Sequence, residues 1–488
     1  MGMRTSQEYK KSLKMMRPNV YKFGELIRDV TTHPATRRTI EGHAQIFDAA
    51  QKDEYRDRLT TISSITGERI SRYLSIIASA EDMIENVRMK RLMFNITGTC
   101  TGGRCVGFNA INSMWAATYD MDQELRTDYH ERLKTWLASA QKDDIALAGA
   151  LTDPKGDRSK RPSEQEDPDM SLRMVEAGAD GDIVVRGAKV MIAGVAAANE
   201  VFVLPGTGYK EEDADYAVSF AIPRDVKGLT VVEARHPSDG RDMETGFDNP
   251  VDYGGITQGY LLFQDVHVPR ERVFMAKEWR YSIKAVLNFI APYRSAIGGC
   301  VAGQGDVIVG AAALMARANG LSEKVFREKL TQMTVNNETT FGMGIAASVM
   351  GKLHPSGVWI PDAKLANVNK VHVSTLPYET KRLAQDIAGG IAETGCLPSS
   401  EDMHSPEYGA LLQKYLKANA TGETRARIAR LVEWLTIGEG VPGCMHGGGS
   451  PDGAKLIISG LSEIESNINL ARKVANIKED VPAPDGKK

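Results

Sequence analysis

The chain has 488 residues, 42% hydrophobic and 25% charged, with a formal net charge of −3. Length alone sets a prior of about three domains around a sizeable core, and the near-neutral balance disfavours a nucleic-acid or anionic-membrane partner. The N-terminal stretch lacks a secretory apolar segment, no run of 18 apolar residues occurs, and the five cysteines do not suit a disulfide scaffold, so a cytoplasmic, non-membrane protein with reduced thiols is expected.

Residues 1 to about 140 read as helical. Thr5 and Glu8 fit a capping box, with Tyr9, Leu13 and Met16 on one face. Helical spacing runs from Ile62 to Met93, with Glu68 and Arg72 four apart for a pair on the exposed face. Gly98, Gly102 and Gly103 then interrupt the pattern around Cys100 and Cys105. A C-x4-C spacing is a weak metal signal: zinc sites more often use two-residue spacings, whereas four-residue spacings occur in iron–sulfur proteins. The plain alternative is a loop with two buried thiols.

From about residue 147 the pattern changes to strands: IVVRGAKVMIAG, VFVLP, YAVSFAIP, LTVVEAR and GYLLFQDVHVP. Several short strands without intervening helices predict a compact barrel or sandwich. They follow the polar loop ALTDPKGDRSKRPSEQEDPD. Its Lys155, Arg158, Lys160 and Arg161 suit a phosphate-bearing ligand, although a solvated loop explains such charge more often.

After about residue 275 the chain is helical again. Cys300 follows a glycine pair, and Gly298, Gly299, Gly303 and Gly305 thin the backbone around it. Asp306 fits an N-cap for a helix through Val307, Ile308 and Leu314, which would place the Cys300 thiol at a helix start that favours thiolate. The competing reading is a buried cysteine where two helices pack closely. Ser322 opens a helix with Phe326, Leu330 and Met333 inward, and Ile428, Leu431, Val432 and Leu435 mark another. DIAGGIAETG and CMHGGGSPDG are glycine-rich connections. No dinucleotide fingerprint, Walker loop, nucleophile elbow or HExxH motif is present. The order helical, β, helical leaves a cleft where the segments meet.

YKKSLKMMRPNVYKFGE, LTDPKGDR, IVVRGAK, GGCVAGQGDVIVGAAAL, DIAGG and MHGGGSP together resemble one known group. It is the 4-hydroxybutyryl-CoA dehydratase/vinylacetyl-CoA isomerase group of the 4-hydroxyphenylacetate 3-hydroxylase superfamily. The likeness runs over nearly the whole chain. It implies an α+β, acyl-CoA dehydrogenase-like fold: an N-terminal helical domain (1–145), a central β-barrel (146–275) and a C-terminal helical bundle (276–488). It also implies a homotetramer or homodimer acting on a small molecule, a CoA thioester or small acid, by dehydration or isomerisation.

The resemblance further implies FAD between the β-domain and the bundle. Leu151, Thr152, Lys155, Arg158, Lys189, Ala193 and Gly194 would wall it, while Asp386, Gly389 and Gly390 would meet a neighbouring subunit's cofactor. The dehydratases hold a [4Fe-4S] cluster through three cysteines and a histidine. Cys105 and Cys300 match directly, and Cys100 matches with one extra residue in the first pair. Tyr293 stands at the histidine position, Ile297 at a catalytic tyrosine and Val301 at a lysine. Thr257 or Gln258 stands at an active-site glutamate, and Gly443 at a second. Tyr293 is then a fourth ligand or proton donor, Gln258 and His446 line the substrate pocket, and Cys444 is an iron ligand or redox thiol. The alternatives are a reduced-flavin monooxygenase or flavin dehydrogenase without a cluster, and a non-catalytic flavoprotein.

Overall fold

Forty consecutive residues, Trp279–Ala318, form a single helix, and its glycines explain how its neighbours reach it. A Cβ on Gly298 would collide with the Thr340 carbonyl, on Gly299 with the Val87 carbonyl, and on Gly303 with the Arg91 carbonyl. Helices Ala80–Thr97 and Arg327–Val349 therefore approach to backbone contact. Each interior glycine costs the helix about 1 kcal/mol against alanine. Burying one Ile or Met side chain at such a contact recovers about 1.5–3 kcal/mol, so close packing wins. The expected break before Asp306 is absent. Asp306 lies inside the helix, where its carboxylate accepts two 2.8 Å hydrogen bonds from Arg91. Cys300 is correspondingly mid-helix, and the close-packing reading of its glycines is the correct one.

The computed structural model describes residues 3–98, 100, 103–236, 239–240, 244–253, 257–438, 446–479 and 481. By length and composition the helix Trp279–Ala318 could cross a bilayer, with a mean hydropathy of 1.5 over its most apolar window. It passed unnoticed in the sequence because scattered polar residues break its apolar run. Of that window, 61% is buried inside the protein. Helices Ala80–Thr97, Gly103–Leu125, Arg327–Val349, Ala363–Val373 and Leu376–Ala388 surround it.

The N-terminal helix Ser6–Lys14 has the expected capping box of Thr5 and Glu8 and buries Tyr9 and Leu13. The long helix expected from Ile62 to Met93 is not formed. Strands Thr60–Ile62 and Arg69–Ser71 pair as a small hairpin, and helix begins at Ala80 behind the Ser79 cap. Arg72 therefore does not pair with Glu68. It is buried and donates to the Arg58, Asp57 and Thr60 carbonyls, which close the hairpin.

All five expected strand segments form, and the fold is mixed α/β. A six-stranded sheet runs in the order Glu25–Ile27, Val20–Lys22, Leu229–Glu233, Gln258–Val268, Ile183–Ala193, Arg173–Ala177. A four-stranded sheet runs Val273–Ala276, Val218–Pro223, Glu200–Val203, Leu147–Ala150. Two strands of the six-stranded sheet thus come from the first, mostly helical, segment. Among the described residues the sheets do not close into the expected barrel; each keeps two edges.

For the four-stranded sheet the physical reason is a helix that already covers one face. Helix Gly103–Leu125 crosses the four-stranded sheet so tightly that a Cβ on Gly107 would meet the Leu147 backbone, and one on Gly149 the Val106 backbone. A face already covered by a helix has no need to curl onto itself. The sheets meet at a seam instead. There Val190 N–H donates to the Thr152 carbonyl at 2.9 Å.

Candidate active site

Gly98 ends helix Ala80–Thr97 in a left-handed conformation, φ 68°, which non-glycine residues rarely adopt. The chain turns there, carrying Cys100 in the connection and Cys105 into the first turn of helix Gly103–Leu125. Cys300 arrives from the long helix, brought close to Lys90 by the missing side chain of Gly299. The three cysteines line one small pocket. Tyr73, Lys90 and Phe94 complete its wall. Among the described residues no three His, Cys, Asp or Glu side chains close on a common point at metal-binding spacing.

The pocket is electrostatically unusual. Burial pushes the Cys300 thiol up to about 12; Lys90 opposes this and Cys105 adds to it. The expected helix-start lowering does not operate, because Cys300 is far from either end of its helix. Burial, followed by the charge on Cys105, also raises the Tyr73 hydroxyl. Lys90 is 4% exposed, and its ammonium has no hydrogen-bond partner. It lies over the Tyr73 ring at 4.4 Å.

Tyr293, Ile297 and Cys300 fall on one face of the long helix, at four- and seven-residue spacing. Ile297 and Val301 pack with Val373 into a small apolar cluster that Tyr293 and Cys300 flank. Tyr293 stacks on Phe289, with ring centroids 5.7 Å apart, and is not part of the thiol pocket wall. It supports the glycine loop instead, where a Cβ on Gly448 would strike its ring. Arg294 donates to the Gly448 carbonyl, and Lys370 to the Gly447 carbonyl at 2.8 Å. His446 begins this loop, exposed, its carbonyl accepting from Gly449 N–H at 2.9 Å. Cys444 and Gly443 lie outside the described residues.

Leu151, Thr152 and Lys189 meet at the seam between the sheets, with Ala193 and Gly194 further along the chain from Lys189. Lys189 is 1% exposed and donates to the Leu151 and Leu204 carbonyls at 3.0 and 2.8 Å. It also pairs with Asp153 at 2.8 Å. Burial lowers its pKa, with Asp153 opposing. Lys189 is thus a brace behind the seam. Lys155 and Arg158 are exposed on the following loop and form no ion pair among the described residues. Gly194 N–H donates to the Thr257 carbonyl at 2.8 Å, and Ala193 sits opposite Gln258, which is exposed.

Asp386, Gly389 and Gly390 flank Ile387 and Ala388, which join a separate apolar core among the C-terminal helices. Asp386 pairs with Lys329 at 2.6 Å, and Gly389 ends its helix at φ 76°.

Sequence reasoning missed four of these residues. Lys90 and Arg294 are charges inside apolar helical patterns, and Lys370 is fully buried in helix Ala363–Val373. Glu233 sits on the inward face of its strand, two after Val231, and is 3% exposed. Neither of its carboxylate oxygens has a hydrogen-bond partner of good geometry, although Thr257 and the Ala196 N–H lie near. Burial raises its pKa, with Lys22 opposing. In each case the available signal was a charge at a position the apolar period assigns to the interior.

Two family models cover most of the chain: 4-hydroxyphenylacetate 3-hydroxylase N terminal over residues 5–275, and 4-hydroxyphenylacetate 3-hydroxylase C terminal over residues 284–476. The chain is 38% identical to the 4-hydroxybutyryl-CoA dehydratase/vinylacetyl-CoA-Delta-isomerase of Clostridium aminobutyricum, over 97% of this chain and 99% of the relative. Its structure is similar to that of an oxygen-tolerant archaeal 4-hydroxybutyryl-CoA dehydratase from N. maritimus. That match has a TM-score of 0.94 and 38% identity, and covers 99% of this chain and 97% of the other. The oxygenase component of 4-hydroxyphenylacetate 3-monooxygenase, solved with FAD and 4-hydroxyphenylacetate, matches at TM-score 0.85 and 25% identity, over 97% and 98% of the two chains. Butyryl-CoA dehydrogenase from Megasphaera elsdenii, at TM-score 0.51 and 14% identity over 94% of this chain and 99% of the other, shares the fold only distantly. With both family models matched in order and a relative aligned end to end, the chain belongs to the 4-hydroxyphenylacetate 3-hydroxylase family and stands close in sequence to its 4-hydroxybutyryl-CoA dehydratases.

Proposed function

We propose that this chain is an FAD-dependent dehydratase or isomerase acting on a small acyl-CoA or related acid, with an iron–sulfur cluster held by Cys100, Cys105 and Cys300. The observation that carries the reading is that three thiols from distant segments line one pocket beside an unpaired buried ammonium. Thiolates are the preferred ligands of such clusters, so the donor set fits at three corners. Lys155 and Arg158, exposed and unpaired beside the seam, suit the phosphates of FAD. A neighbouring subunit's cofactor would meet Asp386, Gly389 and Gly390.

Flavin and cluster, when bound, supply electron-transfer chemistry and a Lewis acid for a departing hydroxyl. The chain's own residues do the rest. Tyr293 holds a proton at its hydroxyl beside the glycine loop. His446 and Gln258 orient the substrate, and Cys444 is a redox thiol or an additional ligand. Ile297, Val301 and Val373 keep that face dry, which strengthens every polar contact made there.

Assembly as a homotetramer or homodimer is supported by the terminal helix Ile464–Ala475, which buries none of its residues and exposes Ile464, Ile468 and Leu470. The three-domain division at 1–145, 146–275 and 276–488 follows the helical, β, helical order of elements. Reduced thiols suit the cytoplasm.

The test is anaerobic purification, with flavin, iron and sulfide quantified per chain. The protein is then incubated with 4-hydroxybutyryl-CoA and with vinylacetyl-CoA. Loss of water or migration of the double bond, read by mass spectrometry, is expected. Flavin-free protein without turnover would remove the reading. The second reading, a reduced-flavin monooxygenase, has less support: the FAD-bound oxygenase component matches at TM-score 0.85, below the 0.94 of the dehydratase. Oxygen-dependent hydroxylation of a phenol would establish that reading.

A further inference from the structure

We infer that Lys90 is the counter-charge of the thiol pocket, a positioning residue that retains an anionic thiolate-bound iron–sulfur group and favours its reduced form. The inference rests on the proposal that Cys100, Cys105 and Cys300 hold iron.

Lys90 is 4% exposed and its ammonium lacks a hydrogen-bond partner. A buried charge is retained where something offsets it. Around Lys90 the pocket offers sulfur and aromatic or thioether surface, from Cys300, Cys105, Tyr73, Phe94 and Met93, and no carboxylate. The Tyr73 ring at 4.4 Å and the Phe108 ring at 6.0 Å supply only cation–π attraction. The other buried cation nearby, Arg104, already faces Asp144 at 3.7 Å. Of these two neighbouring cations Lys90 is the one without a carboxylate, and the anion that fits its neighbours is sulfur-borne.

Three thiolates outweigh the charge of an oxidised four-iron core, so the bound group is net negative, and one-electron reduction makes it more so. A fixed cation in a low-dielectric wall stabilises both states, the reduced one more. The backbone contact at Gly299 holds the helix of Lys90 against that of Cys300, which fixes the distance over which this acts.

The test compares wild type, Lys90→Met and Lys90→Arg, each reconstituted anaerobically with ferrous iron and sulfide. Methionine keeps the unbranched stem and removes the charge; arginine keeps the charge. Iron and sulfide per chain, the rate of iron loss to a chelator and the midpoint potential by spectroelectrochemical titration are measured. Lys90→Met is expected to have a more negative potential and to lose iron severalfold faster, with Lys90→Arg close to wild type. If wild type and Lys90→Met load equally and share potential and chelation rate, the role of Lys90 is overturned while the three-thiol reading stands. If wild type itself takes up no iron, both fall. Should Lys90→Met fail to give wild-type circular dichroism, Lys90→Gln replaces it in the same comparison.

Discussion

The guanidinium of Arg294 donates two hydrogen bonds, of 3.0 and 2.8 Å, to the carbonyl of Gly448. A third goes to the Asn367 side chain. Burial lowers the Arg294 pKa to about 10, so the group is still charged at neutral pH. Charge-assisted bonds to a buried donor are worth about 1.5–3 kcal/mol each. Arg294→Met is therefore expected to loosen the loop of His446 and Gly448 before it unfolds the long helix. Limited proteolysis checks this: cleavage near residues 446–449 should accelerate, and an unchanged rate would mean that Lys370 and Tyr293 hold the loop without it.

Gly299 and Gly310 lie on the same helix and should respond oppositely to alanine. A Cβ on Gly299 meets the Val87 carbonyl, whereas a Cβ on Gly310 meets nothing within 4 Å. Gly299→Ala should cost about 1–3 kcal/mol through overpacking, and Gly310→Ala should gain up to about 1 kcal/mol from helix propensity. Thermal melts of the two variants measure this, and shifts of equal sign would contradict the packing described.

Lys189 ties the two sheets together through Leu151, Leu204 and Asp153. Lys189→Met leaves Asp153 buried without its cation, a change worth about 3–5 kcal/mol. Denaturant unfolding should show the loss. Asp153→Asn combined with Lys189→Met should recover part of it, since removing both charges avoids the orphan.

Glu233 makes stability depend on pH. Its folded-state pKa is raised above 4.5 by burial, so the fold binds this proton more tightly than the unfolded chain does. Its contribution is most favourable below the unfolded value and is lost as pH rises from there through the folded value. Glu233→Gln should therefore stabilise the protein at pH 7 by about 1–2 kcal/mol and lose that advantage near pH 4. Chemical denaturation at the two pH values reads the difference; an advantage independent of pH would locate the effect in packing.

Much of the architecture was legible in the residues. The capping box at Thr5 and Glu8 and the five alternating strand segments are local signals, decided by hydrogen bonds and side-chain period within a few residues. The failures arose where contacts beyond the local period decided the structure. Ile62 to Met93 has helical spacing, but Arg72 satisfies three carbonyls of the preceding turn only when the chain folds back as a hairpin. The barrel was expected because strands alone cannot reveal that a helix from elsewhere covers their sheet.

For the candidate site, the sequence by itself determined the inventory: three cysteines in glycine-thinned surroundings, a cationic loop and a glycine-rich loop. The tertiary structure alone decided that Cys300 sits inside a helix rather than at its start, and that Lys90 and Tyr73 complete the pocket. A glycine reads the same in a chain whether it ends a helix or admits a neighbour. Only the backbone that comes to rest against it, here at Val87, tells the two apart.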